Sequence, residues 1–243
     1  GRHELFCLSC HIFLARNDVL PTDPKLQTLE IEPQSPASAS VIWMHGLGAD
    51  ARDFYDIPAQ LALPADFNIR YVFPNAPLIP VTINMGMVMR AWYDITGLDA
   101  RSHDEKRIRE STDGINELIE REILRGVPAN RIVLAGFSQG GAMALFSGVR
   151  FRETLAGVMC LSGYLLLPDA LKDEVMETGR SVSVFQAHGT SDGVVPLELG
   201  RDGRDGLRDV GFHVDWHEYP MAHQVCDQEL RDISDWLVQV LRT

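Results

Sequence analysis

Arg131-Ile132-Val133-Leu134-Ala135-Gly136-Phe137-Ser138-Gln139-Gly140-Gly141 is the stretch on which the reading of this chain turns. Arg131 to Ala135 is a short apolar run that reads as a buried strand, and Gly141 to Val149 reads as a helix of small residues. Between them Gly136 to Gly140 matches G-x-S-x-G, a serine motif that requires a strand before it and a helix after it. A tight strand-to-helix turn forces strained backbone angles on the serine, and small neighbours permit that turn without clashes. The hydroxyl of Ser138 is then held at the carboxyl end of a sheet, beside a helix N-terminus whose partial positive charge steadies developing negative charge. The alternative is a glycine-rich turn with an incidental serine, and the flanking strand and helix weigh against it.

Outward from this stretch, short apolar runs alternate with helical patterns. Val41 to Met44, Ile69 to Phe73 (halted by Pro74), Leu155 to Leu161, Val182 to Ala187 and His213 to Tyr219 read as strands. Asp53 to Leu63 is expected to be a helix. Asp104 to Leu124 has Ile108, Ile115, Leu118, Ile119 and Ile123 at helical spacing, and Leu230, Ile233, Leu237 and Val240 line one face of a C-terminal helix. Such alternation predicts an α/β chain, with a mostly parallel sheet covered by helices on both faces. The expected organisation is one domain over residues 24–243, with residues 1–23 a dispensable extension or a cloning-derived tail.

A serine hydroxyl is a poor nucleophile unless a base takes its proton. Motifs of this type take their partners in the order serine, acid, histidine. Asp192 lies in His188-Gly189-Thr190-Ser191-Asp192-Gly193-Val194-Val195-Pro196, directly after a strand, and His223 follows the last strand, just before the final helix. Both fall on the sheet edge that carries Ser138. His45 and His188 each precede a glycine at a strand end and suit loop-orienting hydrogen bonds, while His213 and His217 fall within a strand. Asp169 and Asp173 are weaker acids for the role than Asp192, which Val194-Val195-Pro196 would hold in place. Negative charge on the carbonyl oxygen needs two backbone N–H groups. Gln139 is expected to supply one and Leu47, in His45-Gly46-Leu47-Gly48, the other. Pro80 to Trp92 is apolar without a clean period, and Met85, Met89 and Trp92 are expected to line an acyl pocket; core packing under a loop is the equal alternative.

The 243 residues carry a formal net charge of −12, which disfavours nucleic acid and anionic membranes as main partners. No apolar stretch suits a membrane span. The four cysteines form no disulfide framework, so a reducing, cytoplasmic setting is expected. Cys7-Leu8-Ser9-Cys10-His11 matches the C-x-x-C-H pattern for haem attachment, but the rest of the chain reads as something else, and neither metal nor cofactor is expected.

Taken together, these motifs resemble the carboxylesterase and acyl-protein thioesterase family, also called the phospholipase/carboxylesterase family. The markers are His45-Gly46-Leu47-Gly48, Pro74-Asn75-Ala76-Pro77, Ala91-Trp92-Tyr93-Asp94, Gly136 to Gly141, Asp192 to Pro196 and Met221-Ala222-His223. The resemblance covers nearly everything after about residue 37. It implies the α/β-hydrolase fold, a triad of Ser138, Asp192 and His223, and Leu47 and Gln139 as the oxyanion N–H groups. It also implies short- to medium-chain esters or acyl thioesters as substrates, no cofactor, and a monomer or homodimer. A lysophospholipase or a protein deacylase is the runner-up, and a non-catalytic binding protein of the same fold is the rival from another class. The Asp192 loop and Met221 to Cys226 look closer to bacterial carboxylesterases. Ala51 replaces a common glycine and Gln224 a common serine, both near the mouth of the site.

Overall fold

A computed structural model describes residues 25–97 and 104–242. The Cys7 to His11 motif and His103 lie outside the described residues. Nine strands are described: β1 (Thr28–Ile31), β2 (Ala39–Met44), β3 (Ile69–Pro74), β4 (Leu78–Val81), β5 (Met87–Arg90), β6 (Ile132–Phe137), β7 (Gly157–Leu161), β8 (Ser183–Gly189) and β9 (Val214–Tyr219). Five α-helices are described with them: α1 (Glu105–Leu124), α2 (Gln139–Gly148), α3 (Pro168–Glu174), α4 (Leu197–Asp209) and α5 (Asp227–Leu241). Seven strands form one sheet in the order β1-β3-β2-β6-β7-β8-β9, parallel throughout except for β1, which runs antiparallel to β3 at the edge.

Side chains alternate across this sheet, and the two faces make two cores. Ile42, Met44, Val72, Leu134, Val158 and Val184 pack toward α1, α2, α3 and α4. Val41, Trp43, Tyr71, Val133, Ala135 and Phe185 pack toward α5, through Leu230, Ile233, Trp236 and Leu237. Helix α2 is buried along its whole length, which explains its composition. A Cβ on Gly148 would come within 2.4 Å of the Val158 side chain. Helix α1 begins where the Asp104 side chain accepts the Arg107 N–H at 3.2 Å.

At the amino ends of the strands a buried ion network joins α1 to the sheet. Glu122, fully buried, accepts from Ser40 Oγ at 2.6 Å, Arg70 Nη1 at 2.8 Å and Arg125 Nη1 at 2.9 Å. Arg125 also reaches Glu30 of β1, and Glu32 just beyond it. This network explains why the edge strand carries charge.

Two expectations need correction. Residues 53–63 form no α-helix; they run through successive turns closed by i to i+3 bonds, with a single 3₁₀ turn at Pro58–Gln60. An α-helix there would need an N–H from Pro58 to the Phe54 carbonyl, which proline lacks, and its ring would clash with that carbonyl. Pro80 to Trp92 is not a loop over the core. It contains part of β4 and all of β5, which form a separate antiparallel hairpin with Ile79 opposite Met89 and Val81 opposite Met87.

Candidate active site

Strand β6 ends at Phe137, and the chain turns sharply at Ser138, whose φ of 54° and ψ of −119° lie outside the ordinary regions for a residue with a Cβ. The turn is held on both sides: the Ser138 N–H donates to Leu161 O at 2.8 Å, and Ser138 O accepts the Ala142 N–H at 3.0 Å. It also leaves no space for neighbouring side chains. A Cβ on Gly136 would lie 2.2 Å from Gly140 O, and one on Gly140 would lie 2.4 Å from Met44 O and 2.5 Å from His45 O. Glycine at these positions answers close backbone approach, and the backbone strain falls on the serine.

Asp192 follows β8. Its Oδ1 accepts the N–H groups of Val194 at 2.8 Å and Val195 at 2.9 Å, which closes the loop around the carboxylate. Its Oδ2 lies 2.7 Å from His223 Nδ1. The Asp192 side chain is fully buried, and His223 is 16% exposed. His188, buried beneath, lies 2.9 Å from Val195 O and 3.5 Å from Asp192 Oδ2, both measured from Nε2. His223 follows β9 and packs against Phe137, with ring centroids 4.7 Å apart. Glu229, near the start of α5 behind this loop, is fully buried. Burial pushes its carboxyl up to about 8; the Cys226 backbone opposes the shift and Asp232 adds to it.

His45 opens the loop that follows β2. Its Nε2 accepts the Ala76 N–H at 3.0 Å, so its proton sits on Nδ1, which donates to Gly46 O at 2.7 Å. Burial lowers its pKa, which keeps the ring neutral in that tautomer. The next N–H groups are engaged as well: Gly48 donates to Arg90 O at 2.8 Å and Ala49 to Gly46 O at 3.2 Å. The Leu47 N–H stands outside these turns. Gln139 opens α2, so its N–H has no acceptor within the helix. Its side chain braces the site: Oε1 accepts the Trp92 N–H and Nε2 donates to Tyr93 O, each at 2.9 Å.

A cavity of about 640 Å³ brings Ser138, Gln139, Leu47 and His223 to one wall system. Asp192 stands behind His223 rather than on the cavity surface. Of the three residues expected to line an acyl pocket, none is on the wall. Met85 adopts a left-handed conformation and is 95% exposed. Met89 lies between Asn84 and Gly48, its sulfur 3.2 Å from Asn84 Nδ2. Trp92 is fully buried and donates its indole N–H to His45 O at 2.9 Å. The apolar wall comes instead from Ile83, Ile95, Tyr164, Val194, Val195 and Leu199. Ile83 is set there by Asp94, which accepts the Thr82 N–H at 2.7 Å and the Thr82 hydroxyl at 2.6 Å, and by an Ile83 N–H bond to Ile95 O at 2.9 Å. The pairing of Thr82 with Asp94 was the available signal for Ile83; the others are brought together only by the fold. Asp53, within the misread segment, is also on the wall.

This geometry can perform acyl transfer: a strained serine, a histidine aligned by a buried carboxylate, and two N–H groups at the same opening. Among the described residues no cluster of His, Cys, Asp and Glu is arranged to hold a metal ion, and no helix is long and apolar enough to cross a membrane.

Comparison with known proteins agrees with this chemistry. The family model for phospholipase/carboxylesterase matches residues 27–241. Acyl-protein thioesterase 1 of Neurospora crassa is 40% identical over 214 residues, covering 84% of this chain and 87% of that protein. A crystal structure of a SOBER1 variant from Arabidopsis thaliana superposes with a TM-score of 0.80 at 30% identity, covering 84% of this chain and all of the other. Acyl-protein thioesterase 2 of Zea mays superposes with a TM-score of 0.78 at 25% identity, over 88% of this chain and 99% of that one.

Proposed function

This chain belongs to the phospholipase/carboxylesterase family, and from that membership we propose that it hydrolyses acyl thioesters and carboxylic esters through an acyl-enzyme on Ser138. Ser138 Oγ attacks the carbonyl carbon and its proton passes to Nε2 of His223. Asp192 holds the proton on Nδ1 and stabilises the imidazolium that forms. The N–H groups of Leu47 and Gln139 receive the oxyanion. The carbon–sulfur or carbon–oxygen bond then breaks, and the leaving thiol or alcohol takes the proton from His223. Water, deprotonated by the same histidine, attacks the acyl carbonyl, and as the acyl–oxygen bond breaks His223 returns that proton to Ser138 Oγ and the acid leaves. The observation that carries this reading is the strained Ser138 on the cavity that also holds His223, with Asp192 at 2.7 Å from the imidazole.

The acyl chain is read into the apolar wall of Ile83, Ile95 and Tyr164. Thioesters on acylated proteins are the favoured substrates, supported by the thioesterase names of the relatives at 35–40% identity. Residues 24–243 act as one catalytic domain in this reading, since a single sheet carries all three residues of the triad. Cys160 and Cys226 are both free, which fits a reducing, cytoplasmic setting. The test is labelling by a fluorophosphonate. The wild-type chain should be labelled at Ser138, and Ser138→Ala should keep its circular dichroism spectrum and lose both label and thioester turnover. Label found at another serine would refute the assignment.

A further inference from the structure

The cavity wall has two chemically different parts. Ile83, Ile95 and Tyr164 belong to one, tied together through the Ile83 bond to Ile95 and a 2.6 Å contact between the hydroxyls of Tyr93 and Tyr164. Asp53 belongs to the other. Its neighbour Phe54 packs on Phe137 with ring centroids 5.6 Å apart, and Phe137 packs on His223 at 4.7 Å. Asp53 thus lies next in sequence to an aromatic stack, Phe54 on Phe137 on His223, that ends at the base. It is the one carboxylate among the described residues that line the cavity, where the other titratable groups are His223 and the Tyr164 phenol.

Among the described residues no cation is paired with this carboxylate. Among the described residues neither Asp53 nor Asp50 makes an ion pair, and the charge that acts on the Asp53 carboxyl is that of another acid, Asp50. Asp53 is exposed at the cavity wall, and partial desolvation and then Asp50 push its carboxyl upward, the direction expected of an acid with no cation beside it. The overall charge of −12 adds a field of the same sign. The atom that leaves must lie beside His223 Nε2 to take its proton. The group attached to that atom starts from the His223 end of the cavity, which Phe137 supports and beside whose partner Phe54 the Asp53 carboxylate stands.

We propose that Asp53 is a specificity residue that selects substrates whose leaving thiol or alcohol carries positive charge near the scissile bond. The inference rests on the acyl-enzyme reading of this site. Two sources supply such a leaving group: a small ammonium thiol, or an acylated cysteine flanked by lysine or arginine.

The experiment compares matched pairs on the full chain, reading the ratio of kcat/KM for cationic over neutral substrate so that any general change in activity cancels. One pair is butyrylthiocholine against its uncharged carbon isostere, the S-(3,3-dimethylbutyl) thioester of butyrate. The other is an S-acylated cysteine peptide flanked by lysines against the same peptide with glutamines. For the wild-type chain the ratio should exceed one, by about fivefold at low salt for a solvent-accessible pair. It should approach one in Asp53→Asn and drop below one in Asp53→Lys, and 0.5 M salt should shrink it, as it does for exposed charges about a Debye length apart. A response in either pair supports the proposal and identifies the source. A ratio that is the same in the wild-type chain and both variants overturns it. A third substrate places the cation at the far end of the acyl chain. If the ratio there responds to Asp53 and the leaving-group pairs do not, the assignment to the leaving group is overturned. Ser138→Ala separates this from the parent reading: turnover of the neutral thioester by that variant would refute the acyl-enzyme whatever Asp53 does.

Discussion

Oδ2 of Asp192 faces Nδ1 of His223 at 2.7 Å, while Oδ1 of the same carboxylate is occupied by two backbone N–H groups. The division of labour makes the response to amidation specific. In Asp192→Asn the remaining oxygen must stay on the Val194 and Val195 N–H groups, so the new NH₂ faces His223. The imidazole then accepts at Nδ1 and carries its proton on Nε2, the wrong tautomer for a base toward Ser138. Thioester kcat should fall by roughly three to four orders of magnitude with the melting temperature little changed. A loss under tenfold would show that the carboxylate does not set the tautomer.

Gly140→Ala should remove the active conformation along with stability. The added methyl would lie 2.4 Å and 2.5 Å from two carbonyl oxygens of the backbone, which cannot move aside without shifting β2. Several kcal/mol of destabilisation are expected, at the large end of single substitutions, together with loss of fluorophosphonate labelling. Urea unfolding and gel labelling of the same preparation measure the two effects. A stable, fully labelled variant would contradict the packing described for the turn.

Glu122→Ala should be costly although it lies far from the reaction. The fully buried carboxylate holds Ser40, Arg70 and Arg125, and its removal leaves the Arg70 guanidinium, only 10% exposed, with Glu32 alone. Breaking a buried pair from one side typically costs about 3–5 kcal/mol. Equilibrium denaturation should show that loss, and a double variant Arg70→Met, Glu122→Leu should recover much of it.

Glu229 gives stability a defined pH dependence. Its folded carboxyl, pushed up to about 8, holds its proton while the unfolded chain releases it near the ordinary value of 4.5. The folded state binds the proton more tightly, so this contribution is fully present below about pH 4.5, declines as pH rises, and is gone above about 8. Glu229→Gln should flatten that part of the profile and melt higher than wild type at pH 8.5, the gain in unfolding free energy being a few kcal/mol at most, about 1.4 kcal/mol for each pH unit separating the folded and unfolded values. Thermal melts from pH 5 to 9 would show it; parallel profiles for the two proteins would place the ionised carboxylate in the folded state.

Acyl selectivity should follow Ile83 and not Met85. Each methylene buried contributes up to about 0.8 kcal/mol, roughly fourfold in kcat/KM per carbon until the apolar wall is filled. Ile83→Asp should flatten that series and Met85→Asp should not, because Ile83 lines the cavity and Met85 is 95% exposed. Thioesters from acetyl to dodecanoyl make the measurement.

The parts of the site that could be read from the chain are those where local chemistry and local geometry coincide. Gly136 to Gly141 announces itself because each glycine answers a backbone contact within a few residues of Ser138 or on the adjoining strand. Asp192 and His223 follow strands whose apolar runs are unmistakable. The segment at Asp53 misled because Phe54, Ile57 and Leu61 have helical spacing, yet Pro58 forbids the bond that spacing implies. Strand β1 escaped notice because Thr28 to Ile31 is only half buried and spends Glu30 on Arg121 of α1 and on Arg125, which caps that helix. The cavity wall was illegible for a different reason. Ile83, Ile95, Tyr164 and Leu199 come from four separate segments, and no periodicity in one dimension encodes their meeting.

The proposed triad reaches from the middle of the sheet to its edge. Ser138 follows β6, which has three strands on either side, whereas His223 follows β9, which is paired on one side only. The proposed nucleophile is thereby rooted in α2, where every residue is buried, and the proposed base in the margin of the molecule. Amide protons of α2 should exchange with solvent only through global opening, while those of β9 and the Met221 to Cys226 segment can exchange when the margin alone peels away. Such a partial opening separates proton acceptor from serine without unfolding the core. The working lifetime of the enzyme under heat is then set by how firmly its last strand stays docked, and a contact added between β9 and α5 would extend it more than any refinement of the centre.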